Sequence, residues 1–143
     1  MYLRRRFMEK KLILYAEDDS DDRVIFESSF SQNTDEVEIQ IFNDGLELLH
    51  HLRAESDLQP HLIVLDINMP RLGGKDVLRI LRDMPPYAKI PVVLLTTSSS
   101  PVDRFFAQHF NAEFITKPMD EKEMHTIKKE LLKFCEENHL FGS

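Results

Sequence analysis

The feature that most constrains this chain is a set of short, wholly apolar runs separated by stretches with helical periodicity. Residues 62–65 read LIVL and residues 92–95 read VVLL, with no polar side chain in either run. A strand can be apolar on both sides only if both of its faces are covered. Residues 12–16 form a third such run. Residues 37–42 alternate Val37, Ile39 and Ile41 with polar positions, as a strand with one face less buried does. Residues 113–115 supply a short fifth strand. Between and after these runs lie five helical patterns. Residues 22–30 carry Phe26 and Phe30 four apart, and residues 44–53 carry Leu46, Leu49 and Leu52 on one face. Residues 74–82 carry Val77, Leu78 and Leu81, and residues 102–109 form a fourth helix. Residues 120–138 align Met124, Ile127, Leu131 and Cys135, with Asp120 and Glu123 spaced as a capping box. Pro85 and Pro86 break the chain after the third helix. Five strand–helix pairs in strict order imply a parallel sheet with helices on both faces.

A chain of 143 residues is about one domain long, enough to bury a sizeable core, and no repeat or linker divides it. The net charge of −7 disfavours generic binding to nucleic acid or to an anionic membrane. The single cysteine, Cys135, excludes an internal disulfide and fits a reducing, cytoplasmic compartment; its place on the inner helix face predicts a buried, inert thiol. No stretch of about 20 apolar residues could span a membrane. Residues 1–10 are basic, through Arg4, Arg5, Arg6 and Lys10, and lack the apolar middle of a signal peptide. They read as a flexible leader before a domain over residues 11–140, with Met1 and Met8 as alternative starts.

In an open parallel sheet, ligands bind beyond the carboxyl ends of the strands. The residues just past each strand are therefore informative. Glu17, Asp18 and Asp19 come after the first, Asp66, Ile67 and Asn68 after the third, Thr96, Thr97 and Ser98 after the fourth, and Thr116, Lys117 and Pro118 after the fifth. Acids, hydroxyls and an amine thus share one edge. Crowded carboxylates repel, and a hard divalent cation relieves them. Mg2+ suits a few carboxylates, waters and a phosphate oxygen. With Lys117 as a further positive charge, this is equipment for phosphoryl transfer, with Asp66 as the carboxylate nucleophile and Thr96 bonding a phosphoryl oxygen.

The segments AEDDSDD, LDINMPRLGG, LLTTSSS and ITKPMD, in this order and spacing, resemble the receiver domain of two-component response regulators, over residues 11 to about 138. The resemblance implies a flavodoxin-like, doubly wound (βα)5 sandwich with strand order 2-1-3-4-5. It also implies roles: Glu17 and Asp18 as metal acids, Asp66 as phosphoacceptor and metal ligand, Asn68 as a metal ligand through its backbone carbonyl, and Lys117 as the conserved lysine. Thr96 and Phe114 become a switch pair, Gly74 follows the acceptor loop, and the Lys117–Pro118 bond is expected to be cis. Mg2+ is the implied cofactor. The implied partners are a sensor histidine kinase or histidine phosphotransfer protein and a downstream protein target. Dimer or partner contacts are expected through the fourth helix, fifth strand and fifth helix, where Phe105, Phe106 and Phe110 cluster. With no output domain in view, the signal is expected to leave by protein contact or by passing on the phosphoryl group. LLTTSSS and the enlarged loop around residues 54–60 further resemble stand-alone regulators that serve bacterial phytochromes. In place of the family's usual glycine after the fourth helix stand Phe110 and Asn111; Asn tolerates a left-handed cap, and the extra aromatic is expected at the surface.

The acids Asp21 and Asp22 read as an ordinary helix start favoured by the helix dipole. Three other readings fit less well. A phosphatase or dehalogenase built on Asp66 needs a second acid two residues on, where Asn68 stands. A degenerate receiver would lack the acceptor or a metal acid, and none is missing. A flavodoxin-type cofactor site needs a phosphate-cradling loop after the first strand, where acids stand instead.

Overall fold

The computed structural model describes residues 10–55 and 57–142, with side chains through Glu136. The expected basic leader falls almost wholly outside these residues. Five strands, β1 (Lys11–Ala16), β2 (Val37–Phe42), β3 (Leu62–Leu65), β4 (Val92–Thr96) and β5 (Glu113–Thr116), alternate with helices α1 (Ser20–Ser29), α2 (Gly45–Ala54), α3 (Gly74–Arg82), α4 (Pro101–His109) and α5 (Glu121–Gly142). The sheet is parallel, in the order β2-β1-β3-β4-β5. The winding reverses between β1 and β3, so their carboxyl ends flank the cleft where such sheets bind ligands.

The pleat sends successive side chains to opposite faces and so builds two cores. Leu14, Ile63, Leu65, Val92 and Leu94 pack with α2, α3 and α4 on one face. Ile13, Tyr15, Leu62, Val64, Val93 and Leu95 pack with Phe26, Met124, Leu131 and Cys135 of α1 and α5 on the other. Cys135 is fully buried, and burial pushes its thiol up to about 12.

Side-chain caps set where the helices begin. Asp19 accepts from the Asp22 amide at 3.0 Å, which starts α1 at Ser20 rather than residue 22. Ser100 accepts from the Val102 amide at 3.2 Å, and Pro101 occupies the first turn of α4. At α5 the expected cap is present, with the Glu123 amide donating to Asp120 at 2.8 Å. The Glu123 carboxylate accepts from the Met119 amide at 2.7 Å instead of closing on Asp120. Asn111 takes the left-handed conformation, φ 55°, at the end of α4. Phe110 departs from expectation: it is half-buried on the core with its ring 4.7 Å from that of Phe106. One guanidinium ties two loop segments together. Arg82 donates to the carbonyls of Ile90 (2.8 Å), Tyr87 (3.3 Å), Phe110 (2.8 Å) and Asn111 (3.1 Å).

Candidate functional site

Strand register places the site. Ala16 pairs with Leu65 and Thr96 with Thr116, so Glu17, Asp66 and Lys117 each come one residue past a strand end. Backbone hydrogen bonds extend the ladder across that edge: Glu17 to Phe42 (3.0 Å), Asp66 to Ala16 (3.2 Å) and Lys117 to Thr96 (2.9 Å). Gly73 and Gly74 let the chain return over the same edge. A Cβ at Gly74 would collide with the Asp66 carbonyl, and one at Gly73 with the Ile67 carbonyl. Arg71 bends the loop just before them with φ 63°. Its guanidinium bonds the buried Asp44 carboxylate at 2.6 Å, and Leu72 accepts from the Gly45 amide at 3.2 Å. Burial works against charge on Asp44, but the Glu47 amide and the Arg71 guanidinium outweigh it and hold the carboxyl below the usual range.

Glu17, Asp18 and Asp66 each offer a carboxylate oxygen, and these lie within 4.8 Å of one another. Glu17 is fully buried, Asp66 nearly so, and Asp18 faces solvent. Lys117 reaches into the cluster with Nζ 2.7 Å from Glu17 Oε1, 2.7 Å from Asp22 Oδ2 and 3.4 Å from Asp66 Oδ2. Burial opposes its charge, yet Asp22, Glu17 and Asp66 together hold the ammonium above the ordinary lysine range. Burial pushes the Glu17 carboxyl up to about 7; the Asp66 charge adds to this while Lys117 opposes it. Three carboxylates whose oxygens lie within 4.8 Å of one another, one of them fully buried, repel, and a divalent cation fits them. Tyr15, stacked on Phe26 with centroids 4.0 Å apart, donates its hydroxyl to Glu17 Oε1 at 3.3 Å.

Asp22 is the residue that sequence reasoning missed. It lies on α1, where an acid near a helix start is unremarkable, and only the packing of α1 against α5 on that face of the sheet brings it to Lys117. Spacing held the one available signal: Asp22 lies one helical turn before the buried Phe26, on the same side of α1. The peptide bond before Pro118 is trans, and no cis bond occurs among the described residues. The expected cis geometry is therefore absent; the Lys117 aim is set by its three carboxylate partners.

Thr96 is fully buried at the end of β4, and its Oγ1 accepts from the Ser98 amide at 3.2 Å. Phe114 pairs with Leu94, so pleat alternation puts Phe114 and Thr96 on the same face of the sheet. The Phe114 ring is half-buried against the core, with the Arg104 guanidinium 4.7 Å above it. Asn68 is exposed on the acceptor loop. Phe105, on α4, is 69% exposed.

The response regulator receiver domain model matches residues 13–129. The chain belongs to the response regulator receiver family. This receiver is 32% identical to response regulator Rcp1 of Synechocystis sp. over 120 residues, covering 80% of this chain and 81% of that one. Among solved structures it resembles the phosphorylated cyanobacterial phytochrome response regulator RcpA, with a TM-score of 0.80 and 30% identity over 88% of this receiver and 94% of RcpA. It also resembles the Mn2+-bound form of Rcp1, with a TM-score of 0.73 and 31% identity over 82% and 88% of the two chains. The flavodoxin-like fold and strand order expected from sequence are those of the receiver. No helix among the described residues is long and apolar enough to cross a membrane.

Proposed function

We propose that this receiver accepts a phosphoryl group on Asp66, from a histidine kinase or histidine phosphotransfer protein, and signals by protein contact in the cytoplasm. The observation that carries this reading is the near-buried Asp66 carboxylate, which shares one sheet edge with Glu17, Asp18 and the Lys117 ammonium. Glu17, Asp18, Asp66 and the Asn68 carbonyl would hold Mg2+, which supplies charge neutralisation during transfer. Lys117 would follow the incoming oxygens, exchanging a carboxylate partner for the phosphoryl group. Likeness to a Mn2+-bound and a phosphorylated regulator supports both parts. Residues 11–140 would constitute the working domain.

Acetyl phosphate with Mg2+ should add one phosphoryl group, read by intact mass, and chelation should stop it. Mg2+ should also raise the thermal midpoint, since it binds the native state alone. Glu17→Ala/Asp18→Ala should abolish both effects. An undiminished Mg2+ shift in that double variant would place the metal elsewhere.

The switch reading concerns Thr96 and Phe114. Thr96 would turn to donate to the phosphoryl group, and Phe114 would leave its place beneath Arg104 to fill the vacated space. This would alter the surface formed by α4, β5 and α5, where Phe105 is exposed and dimer or partner contacts would form. Beryllofluoride should therefore change sedimentation or the Phe114 environment in the wild type and not in Thr96→Ala. Binding of beryllofluoride to the wild type with neither change would refute the coupling.

A further inference from the structure

Outside the acid cluster, one polar chain touches the reaction without belonging to it. Ser98 donates its amide to Thr96 Oγ1 (3.2 Å) and its hydroxyl to Asp103 Oδ2 (2.6 Å), and accepts from the Ser100 amide (3.2 Å). Asp103, in the first turn of α4, receives Lys75 Nζ on its other oxygen at 2.7 Å. Lys75 is the second residue of α3, directly after the Gly74 backbone that lies against the Asp66 carbonyl, and its ammonium sits 5.2 Å from the Phe106 ring centroid. The loop from residue 97 to 100 is thus fastened at both ends of one hydroxyl. The Asp103 side chain is 16% exposed and that of Lys75 33%, so the pair is only partly screened by water. The Lys75 ammonium and the Ser98 hydroxyl hold the Asp103 carboxyl below its usual range, which keeps it charged at neutral pH.

We propose that Lys75, Asp103 and Ser98 form a latch that holds the loop after β4 in its resting position and so limits how readily Thr96 reaches the phosphoryl group on Asp66. The proposal rests on the phosphoacceptor reading above. Thr96 can donate to an oxygen on Asp66 only by turning, and its oxygen is held by the Ser98 amide. For that amide to follow or let go, the Ser98 hydroxyl must slide on Asp103, which is itself pinned from α3. The latch therefore stabilises the resting state and not the phosphorylated one. These are positioning residues, since none of them touches Asp66.

The test is beryllofluoride titration with Mg2+, read by fluorine NMR, on the wild type, Ser98→Ala, Lys75→Met and Lys75→Arg. Ser98→Ala and Lys75→Met should each lower the half-saturating concentration about 3- to 10-fold, the loss of one partly exposed charge-assisted bond. Lys75→Arg should restore it toward wild type. The double variant should gain little over either single one, because both act through Asp103. Amide exchange at Ser98 and Ser100 should speed up in Lys75→Met. If the wild type takes beryllofluoride and the variants bind it equally or more weakly, the latch is wrong and the phosphoacceptor reading stands. If the wild type does not bind it, the phosphoacceptor reading falls and the latch with it. A drop in thermal midpoint with unchanged binding would mark the three residues as structural only.

Discussion

Asp66→Asn should take no phosphoryl group from acetyl phosphate and, in Mg2+-free buffer, should melt at a higher temperature than the wild type. Loss of labelling follows from chemistry: a carboxamide cannot attack phosphorus as a carboxylate does. The gain in stability follows from charge. Without a cation, Glu17, Asp18, Asp22 and Asp66 face the single Lys117 ammonium, so removing one negative charge relieves repulsion. The cost is small, because Lys117 keeps its two shorter contacts at 2.7 Å and loses only the 3.4 Å approach to Asp66. A buried like-charge contact of this kind corresponds to about 1–2 kcal/mol. Mg2+ should then stabilise the variant less than it stabilises the wild type, since the variant offers one fewer anionic ligand. Intact mass and paired thermal melts read both effects. Undiminished labelling would move the acceptor elsewhere, and a lower midpoint in metal-free buffer would show that the Lys117 contact outweighs the repulsion.

Arg82→Ala should destabilise the fold by about 3 kcal/mol, a drop in thermal midpoint of roughly 10 °C for a domain of this size. Four loop carbonyls share this one half-buried guanidinium, two of them at 2.8 Å. They come from the turn before β4 and from the end of α4, segments that adjoin in space and have no ladder of their own. Arg82→Lys should recover less than half of the loss. An ammonium is a compact point donor and cannot span carbonyls on both sides of a planar fork. Because the acceptors are uncharged, added salt should change the loss little. A midpoint within a few degrees of wild type would mean that water replaces the guanidinium at these carbonyls. The damage should also reach the switch surface, since Phe110 and Asn111 lead into β5, which carries Phe114.

Local sequence was enough for the fold and for most of the site. LIVL and VVLL could only be strands covered on both faces, and the order of apolar runs and helical patterns left a parallel sheet as the consistent arrangement. Parallel strands end on one edge, so the acids after β1 and β3 and the lysine after β5 had to share it, and the strand order that the receiver resemblance implied brings them within reach of one another. The Asn111 turn was legible for the same local reason, the tolerance of asparagine for positive φ. What the tertiary structure decided were the contacts between elements far apart in the chain. Asp22 looked like a helix-start acid until α1 packed against α5 and delivered it to Lys117, 95 residues away. Phe110 looked superfluous to its helix until the end of α4 settled over the core beside Phe106. The Lys75–Asp103–Ser98 chain joins α3, α4 and the loop after β4 across 28 residues of sequence. No periodicity encodes such meetings, because they depend on helix placement over the sheet rather than on the local conformational preferences that write the strands and helices themselves.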